Sequence, residues 1–223
     1  ILSATQVRLT MPVTTSGAFD LVFAGPASNL GASRSSPSNL FFNGGILQYN
    51  GLSSMTDRGF TMNTNAIWDV GNALTTLVVG GNYTTPTTPD TYALEKRGAG
   101  VLELLSTVTP GSNSYGLERI IINDGTLRVR AVTDNQYVRS DVGGLTLGGG
   151  TFELIGSPVR DTTQKMIGLF LPQEGASVIK VSNVANVNTT LRLQDVGNPG
   201  KVDFSPGSTV LFVENHNGTG NAS

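Results

Sequence analysis

The chain has 223 residues, of which 13% are charged and 28 are glycine, and its formal net charge at pH 7 is −2. This length can form one large domain with an extended core. A net charge of this sign gives no indication of the basic surface that nucleic-acid binding requires. The absence of cysteine excludes a disulfide framework and thiolate metal sites.

From Ile1 to Ser38 the sequence alternates weakly between apolar and polar positions, as at Val7 and Leu9. Ala27 to Asn39 is rich in serine, asparagine and glycine, which is typical of a loop. We interpret this loop as a surface excursion rather than as a binding loop. The strands before it are candidates for capping one end of the fold, because exposed end strands invite pairing with another chain.

Residues 40–82 show the first clear strand pattern. Leu47 and Tyr49 alternate with polar neighbours, and Trp68 and Val70 repeat this alternation further along the chain. Trp68 is the only tryptophan, and it has two possible roles: a platform for stacking sugars, or core packing. Its place in the inward register favours core packing, since only its indole N–H needs a polar partner.

The segment NYTTPTTPD, from Asn82 to Asp90, contains two prolines. Proline cannot donate a hydrogen bond to a β-ladder, so we expect this segment to leave the sheet as a protruding loop. It is the preferred candidate for contact with a partner.

A short phrase recurs three times in the centre of the chain, always as glycine, any residue, apolar, charged, apolar. The copies begin at Gly100, Gly125 and Gly150, so the two intervals are equal. In a strand the third and fifth positions face one side and the fourth faces the other. The inward positions form two stacks, Leu102/Leu127/Phe152 and Leu104/Val129/Leu154, and the outward positions are Glu103, Arg128 and Glu153, which alternate in sign.

Repeat units of about 20 to 25 residues that cannot bury their own apolar face form a continuous core by stacking. The repeat therefore predicts an all-β fold, a parallel β-helix or β-solenoid. We expect a right-handed coil. Each leading glycine suits a corner that needs positive φ or close backbone approach.

The same stretch resembles the autotransporter-associated β-strand repeat, whose phrase is approximately L-x-K-x-G-x-G-x-L-x-L, an N-x-Y-x-G turn, and I-x-x-G-x-L-x-V. The matching segments are Leu94 to Leu104, Asn113 to Gly116 and Ile122 to Val129, with spacer-like segments at Asn43 to Gly51, Asp57 to Phe60, Ile67 to Val70 and Leu147 to Gly156. Residues 40–156 carry the best match. The resemblance implies a secreted passenger domain on a bacterial surface, and it brings no catalytic residues.

The C-terminal part contains an apolar run, Met166 to Leu171, which ends at Pro172. A short helix is one alternative, but the length of the run favours a buried strand. Four strand phrases follow at 178–181, 190–193, 201–204 and 209–213. The polar residues 215–223 predict a tail that frays or leads into another module.

Residues that could perform chemistry are few. Cleavage of a glycoside needs two carboxyl groups within about 10 Å across a cleft, whereas the acidic residues fall in different predicted coils. They are Asp57, Asp69, Glu103, Glu153, Asp161 and Asp203. His216 is the only histidine and lies in the predicted tail, which favours a solvated side chain over a catalytic or metal-binding one. We therefore expect no catalytic, metal-binding or cofactor-binding residues.

These observations predict a single β-solenoid domain over residues 1–223 that is part of a larger protein or assembly. Together with the resemblance, they imply a non-enzymatic extracellular module of a bacterial cell surface with a structural or adhesive function, as a rod, a fibre or a surface-layer component. Self-assembly through the solenoid ends is one form that this function could take. Its expected partners are copies of itself, adjacent modules of the same surface protein, and glycans or cell surfaces. A carbohydrate-binding or carbohydrate-cleaving β-helix is the alternative.

No signal peptide or transmembrane helix is recognisable in the sequence. We expect the signal and any anchor to lie outside this chain.

Overall fold

The computed structural model describes residues 6–9, 36–81, 83–84, 92–106, 119–131, 144–166, 168–184, 187–193 and 201–217. Within these ranges the regular structure is β-strand, apart from a 3-10 turn at Pro37–Asn39. The strands are β1 Gln6–Leu9, β2 Phe41–Phe42, β3 Ile46–Tyr49, β4 Ser54–Thr56, β5 Phe60–Met62, β6 Ala66–Val70, β7 Thr76–Val79, β8 Tyr83–Thr84, β9 Ala93–Arg97, β10 Val101–Ser106, β11 Arg119–Ile122, β12 Thr126–Ala131, β13 Gly144–Leu147, β14 Thr151–Ile155, β15 Thr162–Lys165, β16 Gly168–Leu171, β17 Gly175–Val184, β18 Thr189–Arg192, β19 Lys201–Phe204 and β20 Ser208–Asn217.

The strands form two long parallel sheets. The first sheet has the spatial order β1-β3-β6-β9-β11-β13-β16-β19, and the second has the order β4-β7-β10-β12-β14-β17-β20. Short sheets, β2-β5-β8 and β15-β18, form a third side. Consecutive strands lie on different sides, and the strands of one side pair in parallel from coil to coil. This connectivity is a parallel β-solenoid and confirms the predicted fold class.

The repeat places its three copies side by side in the second sheet. Leu102 pairs with Leu127 and Leu127 pairs with Phe152, so the register predicted from the repeat is confirmed. Two further rungs extend this stack, because Leu77 pairs with Leu102 and Ile179 pairs with Phe152. We call Leu77, Leu102, Leu127, Phe152 and Ile179 the first lumenal row, and all five side chains are at most 2% exposed.

A second lumenal row runs parallel to the first and consists of Val79, Leu104, Val129, Leu154 and Val181. The coils lengthen towards the C-terminal end of this sheet. The chain from Phe152 to its partner Ile179, and from Ile179 to its partner Phe212, is longer than the chain from Leu127 to Phe152. The same lumenal positions remain paired in these longer coils, so the additional residues lie between the paired strand positions.

The glycine that begins each copy lies where neighbouring corners crowd the backbone. Gly125 has a φ of +60°, and a β-carbon there would collide with the carbonyl oxygens of Gly98 and Gly100. At Gly100 a β-carbon would lie 2.5 Å from the carbonyl oxygen of Asn72. Both predicted reasons for glycine, positive φ and close approach, therefore apply.

An aromatic cluster fills the core of the early coils. The ring of Trp68 lies 5.3 Å from the rings of both Phe42 and Phe60, and Phe60 stacks on Tyr83 at 5.5 Å. Trp68 is 2% exposed, which confirms core packing over a sugar platform. Its Nε1 has no hydrogen-bond partner within the described residues, so aromatic packing offsets the lost hydrogen bond.

The C-terminal strands lie where the sequence predicts them. β17 and β20 are longer than predicted, β18 begins and ends one residue earlier, and β19 has the predicted bounds. The described residues of the apolar run, 166 and 168–171, contain no helix, and β16 places Leu169 and Leu171 in the core. The expectation that the polar tail begins at Asn215 is wrong, because β20 continues to Asn217. Its last three residues pair with Ser182, Asn183 and Val184, and backbone pairing of this kind does not require apolar side chains.

We expect the substitution Leu127→Asp to reduce the free energy of unfolding by at least about 3 kcal/mol, because it removes a buried aliphatic group and places a carboxylate between Leu102 and Phe152. Urea denaturation followed by circular dichroism measures this loss. Leu74→Asp is the matched control, since Leu74 is 92% exposed and its replacement should leave the denaturation midpoint unchanged. Equal midpoints for both variants would show that the lumenal register is wrong.

Candidate functional site

Charged side chains form a continuous ladder on the outward face of the second sheet. Arg128 donates to Glu103 at 3.0 Å and to Glu153 at 2.6 Å, and Lys180 lies 3.0 Å from the other oxygen of Glu153. We call Glu103, Arg128, Glu153 and Lys180 the charge ladder. Arg130 adds a second contact to Glu103 at 2.6 Å. The predicted alternation of sign is confirmed and extends one rung further.

The carboxylates of this ladder are more buried than the sequence indicates. Glu103 and Glu153 are each 5% exposed, so the expectation of a solvated ladder is wrong for these two residues. The cationic side chains beside them are partly exposed, with 25% exposure for Arg128 and 34% for Lys180. Long basic side chains that lie flat over a sheet can shield a shorter carboxylate from water, which accounts for the difference.

Electrostatic contacts shift the pKa values of Glu153 and Arg128 towards their charged forms. Burial alone would raise the pKa of Glu153, but hydrogen bonds from Arg128 and Lys180, together with their positive charges, hold it below its usual value. Burial opposes the charge of Arg128, yet its contacts with both glutamates raise its pKa. A general acid must carry a proton near the working pH. Glu153 is therefore a structural carboxylate and is poorly suited to act as a proton donor.

The remaining predicted acidic residues lie apart. Asp69 in β6 accepts a hydrogen bond from Gln48 at 3.0 Å, and Asp161 accepts one from the backbone of Asn188 at 2.8 Å. Asp57 follows β4, and Asp203 lies in β19. Over the described ranges, no group of three or more histidine, cysteine, aspartate or glutamate residues could hold a metal ion.

Two other sequence predictions concern the loop at Asn82 and the histidine. Tyr83 and Thr84 form β8, which pairs with β5, so the chain is still in the ladder at Thr84. The remainder of the predicted loop lies outside the described residues. His216 lies in β20 opposite Asn183, which corrects its assignment to a tail.

Lys96 is a functional candidate that the sequence analysis did not identify. It occupies a lumenal position of the first sheet between Trp68 and Ile122 and is completely buried. Its ammonium group donates to the carbonyl oxygens of Arg97 and Gly98, both at 2.5 Å, and to that of Asp124 at 3.4 Å. One side chain thus connects the corner of its own coil with the corner of the next.

Burial lowers the pKa of Lys96 to about 8, although the charges of Asp124 and Asp69 act in the opposite direction. The sequence does indicate this buried position. Lys96 follows the buried Leu94 by two residues, so in a strand the two side chains face the same side. Three carbonyl acceptors satisfy the three hydrogens of an ammonium group. The arrangement resembles a structural staple and offers no opening for a substrate.

A polar turn at the corner between the first two sheets displays exposed leucine side chains. Leu74 is 92% exposed and Leu52, at the same corner one coil earlier, is 48% exposed. The turn is fixed because Asn72 accepts a hydrogen bond from the backbone of Leu74 and Thr75 donates to the carbonyl oxygen of Gly51.

None of the described ranges contains a helix long and apolar enough to span a bilayer.

Comparison with known proteins shows similarity to part of one bacterial autotransporter. The chain is similar to the Adhesin BmaC autotransporter of Brucella suis biovar 1 (strain 1330), with 33% identity over 203 residues. The similarity covers 86% of this chain and 6% of the adhesin, so the chain spans only a small part of the length of this curated relative. No family model and no solved structure matches the chain.

We expect Arg128→Met to reduce the free energy of unfolding by about 2 to 3 kcal/mol, because it leaves two buried carboxylates without their shared cation. Arg130→Met is the matched control. Within the described residues Arg130 forms an ion pair with Glu103 alone, and its side chain is 38% exposed, so its removal should cost less than about 1 kcal/mol. Chemical denaturation at low salt compares the two variants. Equal losses would contradict a central role of Arg128 in the ladder.

Lys96 should give the protein a distinctive dependence on alkaline pH. Its pKa is lower in the folded protein than in the unfolded chain, so between pH 8 and 10.5 the unfolded chain binds more protons and stability rises with pH. Relative to Lys96→Met, the native protein should gain about 2 kcal/mol between pH 7 and pH 10. Denaturation of both proteins at the two pH values measures this gain. A stability difference that is independent of pH would contradict the burial of a charged lysine.

Proposed function

We propose that this chain, as an autotransporter-associated β-strand repeat protein, forms a rigid, non-enzymatic rod within a bacterial surface adhesin. The observation that carries the proposal is the combination of an uninterrupted lumenal core with similarity to an autotransporter adhesin. The module would lie outside the cell, on the bacterial surface.

The internal structure suits a load-bearing element. In a parallel solenoid the backbone hydrogen bonds between rungs run along the axis, so a pull along the axis is shared by the ladders of all sides. The two lumenal rows add side-chain packing through the same rungs. The charge ladder ties four successive rungs from outside, from Glu103 to Lys180. These features support a role in holding a contact surface away from the cell.

The non-enzymatic part of the proposal is supported by how the polar groups are used. Glu103 and Glu153 are both engaged with Arg128, and Lys96 is enclosed in the lumen. The other acidic residues of the sequence prediction lie on separate strands or turns. Adjacent modules of the same surface protein, and glycans or other cell-surface molecules, are the proposed partners.

Display of the chain on a non-adherent bacterium tests this function. Adherence to epithelial monolayers and to immobilised glycans should rise several-fold over the same strain displaying Leu127→Asp, with equal surface amounts confirmed by antibody. Adherence no greater than that of the Leu127→Asp strain would contradict an adhesive role. Release of reducing sugar from polysaccharides by the purified chain would contradict the non-enzymatic assignment and favour a carbohydrate-cleaving solenoid.

A further inference from the structure

The third side of the C-terminal coils carries two basic side chains on neighbouring rungs. Strands β15 and β18 pair in parallel, so that Lys165 lies opposite Arg192 and Thr163 lies opposite Thr190. The intervening Gln164 is completely buried, so strand alternation places Thr163 and Lys165 on the outer surface. Their two partners on β18 are exposed. We call Thr163, Lys165, Thr190 and Arg192 the basic patch.

Like charges at paired positions are otherwise avoided in this structure. On the second sheet the charge ladder alternates in sign from rung to rung, and on the first sheet Asp69 lies opposite Arg97. Among the strand pairings of the described residues, Lys165 and Arg192 are the one pair of like charge. Like charges on strands about 4.8 Å apart repel and destabilise a sheet. The arrangement costs stability, which indicates a role other than folding.

The two cations of the basic patch are not neutralised by the protein. In the part of the chain that the structure describes, neither Lys165 nor Arg192 forms an ion pair. Asp161 precedes Lys165 by four residues, which is roughly 13 Å along an extended chain and beyond contact distance. Its carboxylate accepts hydrogen bonds from Asn188 at 2.8 and 3.5 Å. Both positive charges are therefore available to a ligand.

We propose that the basic patch binds an acidic polysaccharide through its sulfate or carboxylate groups. The planar guanidinium of Arg192 can donate two parallel hydrogen bonds to one such group, and the ammonium of Lys165 supplies a second positive charge on the adjacent rung. The inference rests on the proposed adhesive function, since it specifies the class of glycan and the residues that hold it.

The other members of the basic patch suit a sugar polymer. The hydroxyl groups of Thr163 and Thr190 lie two residues before the cations, about 6.6 Å along the strands, and can both donate to and accept from sugar hydroxyls. None of the four outward side chains is a large apolar group of the kind that inserts into a bilayer. A hydrated anionic polymer therefore fits this surface better than a membrane does.

Binding of the purified chain to immobilised heparin, which carries sulfate and carboxylate groups, tests the proposal. We expect saturable binding that weakens at high salt and that neutral dextran does not show. The double variant Lys165→Gln with Arg192→Gln should bind at least tenfold more weakly. Its denaturation midpoint should equal or exceed that of the native chain, because a repulsion is removed. A lower midpoint, or no heparin binding by the native chain, would overturn the proposal.

A second double variant, Arg97→Gln with Arg119→Gln, is the matched control. It removes the same charge from exposed positions of the first sheet, and its affinity for heparin should change less than twofold. Equal losses of affinity in the two double variants would overturn a local site in favour of a general effect of net charge.

Further polymers identify the anionic group. Desulfated heparin offers carboxylates, and dextran sulfate offers sulfates. Binding to either one that depends on Lys165 and Arg192 supports the proposal, whereas binding to neither would overturn it. Tighter binding to double-stranded DNA than to each of these polysaccharides would also overturn it, in favour of a nucleic-acid ligand.

Adherence of displaying bacteria separates this inference from the proposed function. Soluble heparin should reduce adherence of the native strain to epithelial monolayers, and the strain displaying Lys165→Gln with Arg192→Gln should adhere several-fold less. Undiminished adherence of that strain would overturn the role of the basic patch and leave the adhesive function intact. Heparin binding by a native chain that does not promote adherence would contradict the adhesive function and leave the basic patch as a binding site.

Discussion

The structure depends on residue-by-residue alignment of parallel strands from successive coils. Parallel pairing places equivalent positions about 4.8 Å apart, so each position becomes a row of side chains along the axis. The side chains of a row must pack against each other from one rung to the next, whatever the sequence of the intervening corners. This constraint explains why the three copies of the repeat are equally spaced. It also explains why the later coils lengthen without shifting the lumenal rows.

The same constraint determines where charge is tolerated. Carboxylates in adjacent rungs of one row would repel each other, whereas Glu103 and Glu153 lie two rungs apart with Arg128 between them. Inside the lumen a charge needs hydrogen-bond partners that the aliphatic rows do not provide. Lys96 obtains them from corner carbonyl oxygens, which a long flexible side chain can reach from its place between Trp68 and Ile122. The charge ladder therefore connects successive coils outside the second sheet, and Lys96 connects them in the lumen beside the first sheet.

Much of the fold could be predicted from the sequence because strand parity and a fixed repeat interval are both local signals. They identify the inward residues of β10, β12 and β14 and the alternation of sign outside them. The burial of Glu103 and Glu153 could not be predicted from the sequence, because it depends on how Arg128 and Lys180 lie across the sheet. The extension of β20 to Asn217 depends on backbone pairing with β17, which the polar side chains do not reveal.

Lys96 illustrates a different limit. Its parity with Leu94 indicates an inward position, but one of the carbonyl acceptors that permit a buried amine belongs to Asp124, at the corner of the next coil.

Disulfide trapping of the rung register tests the central claim most directly. Val101 and Thr126 are paired on the outward side of neighbouring rungs, whereas Thr151 lies one rung beyond Thr126. A disulfide requires α-carbons about 4.4 to 6.8 Å apart. The account predicts that Val101→Cys with Thr126→Cys forms a disulfide in the folded protein and that Val101→Cys with Thr151→Cys does not. Formation of the second bridge in the folded monomer, or failure of the first under oxidising conditions, would contradict the stacked register of the repeat.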